Sequence, residues 1–475
     1  MVARTLAERG FRVVIIEAGQ DRSVSRMPAE YLRLFGTDQD WDYSTVPQAA
    51  LANRRLRWPR GRGPGGSTRI NATIWFPPTE HDLDQLSIAG GLPWSREALM
   101  HSLAEVTTWV APESPRWISD TTKRFISAAH SLGLDAHAYQ RMTRSGRRRT
   151  AHDLMRESDA ASLITMQHGE AQSIEFASGH ARAVHVRCEG ETDARVIYAS
   201  HGVIVCSGTI GSAELLMRSG IGPAHVLEAC GIEPIVASEQ VGKNLADHLI
   251  MPLIFATEPR HRFPSGVTMH DMTRFAVSGT GPLASNLAEA GGLQRLASGE
   301  WFQWHVTPTH YLLHPDERAP PAMTLGVNLS DPKSRGTITL RRDSAASSPR
   351  IEIDPAYHTD VSDLENLRNA IDATRTVVEC STLSSLVREE LIPGTKREGT
   401  EYLHRSIARF SQTLYHPTGT CRMGSDDQSV VDASLAVRGV DDLYVIDASV
   451  LPTIPLVNPN ATVMMIARHA ANQIC

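Results

Sequence analysis

The apolar residues of this chain fall into runs of two kinds. Residues 1–9 space Val2, Leu6 and Ala7 along one side and end at Gly10, which predicts a short amphipathic helix with a glycine C-cap. Residues 11–16 are apolar apart from Arg12 and close on Glu17-Ala18-Gly19. So little alternation, with so many β-branched residues, predicts a parallel strand buried on both faces. Val203-Ile204-Val205, leading into Cys206-Ser207-Gly208, and Leu443-Tyr444-Val445-Ile446, leading into Asp447-Ala448-Ser449, repeat the pattern. A helix over 212–218, stopped by Gly220 to Pro223, is predicted after the first of these. After the second, Asn458-Pro459-Asn460 is predicted to cap a helix over about 461–473.

Between about 255 and 410 the pattern changes. Gly281-Pro282, Pro320-Pro321 and the alternating stretches 337–340 and 350–353 predict antiparallel hairpins, followed by a helix over 362–379. The expected fold is therefore α/β: a Rossmann-like nucleotide domain assembled from 1–78, 155–250 and 416–475. Into it is set an α+β substrate domain and lid, 79–154 and 251–415, carrying an antiparallel sheet. An acid at the end of a buried strand, as at Glu17, is where a dinucleotide fold bonds a ribose; a solvated strand end is the other reading.

Composition narrows the field. With 475 residues, 47 basic and 53 acidic, the net charge is -6, which argues against a life on nucleic-acid phosphates. The longest apolar runs, 13–16 and 463–467, fall far short of the roughly 18 residues of a membrane span. Six cysteines without a C-x-x-C pair indicate neither a zinc site nor a disulfide framework, so no metal and a reducing, cytoplasmic setting are expected. The basic run 144–149 is expected to be a solvated loop.

Candidate chemistry sits in glycine-rich and proline-rich segments. Residues 58–72 place glycine at 61, 63, 65 and 66, so that backbone can approach a ligand closely. This segment, from Arg60-Gly61 through Gly65-Gly66-Ser67 to Ile70-Asn71-Ala72, resembles the first signature of the glucose-methanol-choline family of flavin-dependent oxidoreductases. Ser207-Gly208-Thr209-Ile210-Gly211-Ser212 with residues 215–223 resembles the second. Residues 241–248, 146–151 and Ser334-Arg335-Gly336 match as well. So do His416-Pro417-Thr418-Gly419-Thr420-Cys421-Arg422-Met423-Gly424 and Asn458-Pro459-Asn460-Ala461-Thr462, so the likeness spans nearly the whole chain. Pro77-Pro78 departs from a frequent arginine-glycine pair, and Leu86 from a usual tryptophan.

The resemblance implies FAD, with its adenosine at Glu17 and Ala18 and its ring against Arg60, Gly65, Gly66, Ser67, Asn71 and Ala72. The ribityl and pyrophosphate portion is expected near Asp447 and Ala448, beside Ser207 and Gly208. Asn458, Pro459, Ala461 and Thr462 begin the helix under the flavin, whose positive end suits its pyrimidine edge. No histidine or cysteine follows Gly66 where some relatives attach flavin covalently, so non-covalent binding is expected. His416 is implied as the proton-handling residue, with Asn460 as its partner. The implied reaction takes a primary alcohol, choline-like or otherwise, to the aldehyde. Its electrons pass to a quinone, a redox protein or dioxygen instead of nicotinamide. Trp301 and Trp304 serve as an aromatic box for a quaternary ammonium or as core.

One expected part is not in the sequence. The turn G-x-G-x-x-G belongs between a first strand and the helix that here opens the chain. A strand order of 3-2-1-4 then leaves the second and fourth strands without their shared neighbour. Met1 is accordingly expected not to be the natural start, with the turn encoded upstream and flavin bound poorly without it. A flavin-free binding protein and a nicotinamide dehydrogenase are the alternative readings.

Overall fold

The computed structural model describes the chain except for residues 189, 191–193, 262, 265, 266, 314–318, 344–348, 395–398 and 475. From the N-terminus, α1 (Val2–Glu8) buries Val2, Thr5, Leu6 and Ala7. Gly10, left-handed at φ +93°, turns the chain toward β1 (Val13–Glu17). α2 (Glu80–Gly90) and α3 (Arg96–Val110) start on the side-chain caps Thr79 and Ser95. After α4 (Asp120–Ser131) and the short β2 (His137–Ala138) come β3 (Ile164–His168), β4 (Val203–Val205) and α5 (Gly208–Arg218). β5 (Leu249–Thr257), β6 (Ala290–Arg295), β7 (Trp301–Thr307) and β8 (Ala322–Leu329) precede α6 (Val361–Val378). Then follow β9 (Val387–Ile392), β10 (Gln412–Thr413), β11 (Leu443–Val445) and α7 (Asn460–Gln473).

The parallel strands form two pairs, β1 with β3 from Val13↔Ile164 to Glu17↔His168, and β4 with β11 from Val203↔Leu443 to Val205↔Val445. Among the described residues no ladder joins the two pairs. β1 is not buried on both faces as its apolar run suggested: Val14 is 51% exposed, because β1 has a ladder on one side only. The second sheet is antiparallel in the order β9-β5-β8-β7-β6-β2, with β10 against β5, and the predicted hairpin pairs Thr337–Arg341 with Arg350–Asp354. No helix is long and apolar enough to cross a membrane among the described residues.

Two cores follow this division. One gathers residues of α1, α2, α3, α5, β4, β11 and α7; the other lies between the antiparallel sheet and α4 and α6. Leu83, Leu86, Trp94, Leu99, Leu103 and Val110 lie in the first core, although 79–154 was expected with the substrate domain. The physical reason is α7, whose apolar face packs on α3. Trp304 is buried beside Phe125 and Phe302 and donates to Thr374 Oγ1 at 2.8 Å, which makes it a core residue.

Residues 144–149 are not a solvated loop. Arg148 and Arg149 are 1% and 4% exposed. Arg148 Nη1 donates to the carbonyls of Thr68 (3.3 Å) and Asn71 (2.7 Å) and to Asn71 Oδ1 (3.1 Å); Arg149 donates to Val110 O and pairs with Glu157. Like-charged residues in sequence are thus spent on carbonyls distant in sequence, which charge counting does not register. Burial lowers the Arg148 guanidinium to about 10. Arg148→Ala is expected to strand these acceptors and to cost on the order of 3 kcal/mol. A urea midpoint within error of wild type contradicts this role for Arg148.

Candidate active site

The site is assembled around His416, between β10 and β11. Asp247 is buried and fixes that segment: its Oδ1 accepts from His416 N at 2.8 Å, and its Oδ2 accepts from Thr413 Oγ1 (2.7 Å) and Tyr357 OH (2.5 Å). Burial raises the Asp247 carboxyl above its ordinary value, against these donors and Arg60. Tyr415 takes a left-handed turn at φ +66°; its carbonyl accepts from Arg60 Nη2 at 2.7 Å. Thr209 Oγ1 donates to Pro417 O (2.7 Å) and Thr420 Oγ1 to Thr209 O (2.6 Å), clasping the first turn of α5 to the His416 segment.

The imidazole of His416 belongs to a chain of contacts that settles its tautomer. His248, 0% exposed, places Nε2 2.9 Å from Ser330 O. A carbonyl only accepts, so Nε2 carries the proton and Nδ1 of the neutral ring is bare. His416 Nδ1 lies 3.0 Å from that bare nitrogen and must donate to it. His416 Nε2 is then the unprotonated atom, 3.2 Å from the donating Nδ2 of Asn458. Burial, followed by His248, His305 and Arg60, holds His416 well below its ordinary 6.5; burial takes His248 to about 4 and His305 to about 3. All three rings are neutral at pH 7, and His416 presents a lone pair.

These depressed values bear on stability. The folded state refuses a proton that the unfolded state accepts near 6.5, so stability falls with pH below 6.5 and levels off below the folded value. Each such histidine contributes a loss of about 2 kcal/mol between pH 6.5 and 5. His305→Gln is expected to make the loss between pH 7 and 5 smaller by about that amount, read from urea midpoints at the two values. An identical loss in variant and wild type contradicts a neutral buried His305.

The partner of His416 is Asn458, where the sequence reading expected Asn460. Nor does either asparagine cap α7, which begins at Asn460 after Pro459 with no side-chain cap. Asn458 is instead turned to the histidine ring. At the same end of α7, Asn458 Oδ1, Asn460 Nδ2 and Thr462 Oγ1 are buried without partners, as are Thr418 Oγ1 and Ser449 Oγ nearby in sequence; Ala461 is buried. Such atoms cost about 1–3 kcal/mol each unless a ligand bonds them. A flavin, whose edge both donates and accepts, fits them.

The other sequence-predicted positions are tied by contacts of their own. Glu17 Oε1 accepts from Gly19 N (2.8 Å) and Gly63 N (3.0 Å), with Ala18 between, which ties the end of β1 to the glycine segment; burial raises this carboxyl. A Cβ on Gly19 would sit 2.3 Å from Gly63 N, so only glycine permits that contact. Gly65 and Gly66 are left-handed at φ +95° and +54°, Ser67 Oγ accepts from Gly61 N, and Ala72 O accepts from Asn286. Asp447, buried, accepts from Gly208 N, Ser212 Oγ and Ser449 N, while Ser207 N donates to Ser212 Oγ and Ala448 O accepts from Gly419 N. That carboxylate explains why α5 begins at Gly208, four residues before the predicted start: a negative group from β11's end stabilises its first turn.

The chain is similar to known proteins over nearly its whole length. The GMC oxidoreductase models match residues 12–250 and 332–467. A GMC-type oxidoreductase of Mycobacterium tuberculosis is 30% identical, covering all of this chain and 96% of the relative. An alcohol dehydrogenase [acceptor] of Pseudomonas putida is 30% identical over 99% of this chain and 92% of its own length. An oxygen-dependent choline dehydrogenase of Pseudomonas syringae is 30% identical, covering 100% and 91%. Among solved structures, pyridoxine 4-oxidase from Mesorbium loti superposes with TM-score 0.85 at 27% identity, covering 99% of this chain and 96% of that one. The chain belongs to the GMC oxidoreductase family, FAD-binding enzymes acting on alcohol donors.

Proposed function

We propose that this protein oxidises a primary alcohol to the aldehyde, with His416 Nε2 as the base and a quinone, a redox protein or dioxygen as final acceptor. The observation that carries the reading is the tautomer chain from Ser330 O through His248 to His416, which leaves His416 Nε2 unprotonated against Asn458 Nδ2, with Asn458 Oδ1 and Asn460 Nδ2 buried without partners. Bound FAD supplies the acceptor for the hydride that leaves the carbinol carbon. His416 Nε2 takes the hydroxyl proton, and a neutral imidazole does so without a charge to bury beforehand. Asn458 Nδ2 and Asn460 Nδ2 donate to the oxygen as it gains negative character. Glu17, Ala18, the segment 60–72, Ser207, Gly208, Asp447, Ala448 and residues 458–462 would hold the cofactor. In this reading the flavin is held by a domain of 1–78, 155–250 and 416–475, and His416 reaches the end of the antiparallel sheet through His248 and Ser330.

The test is dye-linked. Flavin-loaded protein is expected to reduce an artificial electron acceptor when given a primary alcohol and not to reduce NAD. Alcohol-independent dye reduction, or none with any primary alcohol, contradicts the proposal.

A further inference from the structure

One face of the antiparallel sheet is polar in a way that points to a substrate. Along β7 and β8 successive side chains alternate between faces. Phe302, Trp304, Val306, Leu325 and Val327 form the core beneath α4 and α6. Gln303, His305 and Asn328 take the other face and are 0%, 4% and 0% exposed, with Gln303 directly opposite Asn328. That face adjoins the His416 site. Ser330, just past β8, holds His248, and His305 lies near enough to disfavour a charged His416.

The hydrogen-bond bookkeeping on this wall is incomplete. Tyr139 OH donates to Trp304 O at 2.9 Å, so the 3.2 Å contact with His305 Nδ1 is a donation from the imidazole, which leaves His305 Nε2 a bare acceptor. His305 Nε2, both amide atoms of Gln303, Asn328 Oδ1 and Ser330 Oγ are buried with no partner. Gln303 reaches toward Tyr139 and Asn328 toward His305, closely enough for each contact to act on its neighbour's titration, but neither has the geometry of a closed hydrogen bond. Folded proteins leave few such atoms, and a ligand is one way they are satisfied. Charge is the second feature. Glu289, at the start of β6, accepts from Ser119, Thr122 and Ser285, and Asp247 from Tyr357, Thr413 and His416. Neither carboxylate is left to face a cation, and the Trp304 ring is packed on the opposite face.

We propose that the alcohol is small, neutral and carries at least two hydrogen-bonding groups besides the reacting hydroxyl, as a polyol or a hydroxylated heteroaromatic does, and that Gln303, His305 and Asn328 read those groups. A quaternary ammonium alcohol offers neither donor nor acceptor at its cationic end, and Glu289, Asp247 and the Trp304 ring are not turned to it. The inference rests on the alcohol-oxidising reading of the site.

The experiment compares kcat/KM for glycerol, pyridoxine, benzyl alcohol and choline with flavin-loaded enzyme and an artificial acceptor. Glycerol or pyridoxine is expected to lead choline and benzyl alcohol by about tenfold or more. Gln303→Leu and, separately, Asn328→Leu are expected to raise KM for the leading substrate about tenfold or more, with the flavin spectrum of each variant reporting a folded, loaded protein. Choline or benzyl alcohol at par or ahead overturns the proposal, and so does an unchanged KM in both variants. If that happens while His416→Ala still abolishes turnover, only the substrate class fails. Turnover indifferent to His416 brings down the function beneath it.

Discussion

His416→Ala is expected to lower turnover by a factor on the order of 10² to 10⁴ while leaving flavin content unchanged. The range is the usual contribution of a positioned base, and two features place this residue toward its upper part. The ring is largely withdrawn from solvent, which makes water a poor substitute for the lost nitrogen, and its unprotonated Nε2 adjoins the amide of Asn458, the group expected at the substrate oxygen. The alanine also frees His248 Nδ1, but Asp247 grips the backbone amide of residue 416 and not its side chain, so the segment stays in place. Steady-state assays with dye, paired with the flavin spectrum, check the outcome. Turnover within threefold of wild type removes His416 from the chemistry.

The second large effect belongs to a residue that is not expected to touch substrate. His248→Phe is expected to lower kcat by a factor on the order of 10², with KM little changed, because His416 loses the acceptor that keeps its proton on Nδ1. Freed of that constraint, the imidazole can move its proton to Nε2 and present a donor where a base is needed. His248→Gln should recover much of the loss, since an amide both donates to Ser330 O and accepts from His416. A residue with only a packing role would give no such recovery, and its loss would follow thermal stability instead of kcat. Equal kcat in the phenylalanine and glutamine variants contradicts the positioning role.

Much of this arrangement was legible in the sequence, and the parts that were not share a cause. The α1 and β1 unit, the helix after 460, the hairpin over 337–354 and the helix near 362–379 follow from local periodicity and punctuation. Glu17, Asp447 and the glycines of 61–66 were marked by residue type at strand ends and turns, whereas His416 was marked only by the family resemblance of its segment. What escaped depends on contacts across hundreds of residues. Asp447 adds a turn to α5 from 239 positions away. Arg148 looks like a surface charge until the carbonyls of Thr68 and Asn71 are brought to it. His248 stood in a matched segment, yet its role requires Ser330 at the end of β8, which no local pattern joins to it. Asn458 and Asn460 differ by two positions, and only the direction of the chain entering α7 decides which meets the histidine.

The central claim is that a neutral His416 with a bare Nε2 accepts the alcohol's proton, and the rate of anaerobic flavin bleaching by alcohol tests it most directly when followed across pH. The depressed value of His416 means that the base form is already complete at pH 6.5 and above. The account predicts a rate level from about pH 6.5 upward, falling only on the acid side as His416 takes a proton, with the acid limb absent in His416→Ala at a rate lower by the factor given above. A wild-type rate that keeps climbing through pH 8 and 9, with the same slope in the alanine variant, would mean that the alcohol loses its proton to solvent and would contradict the account.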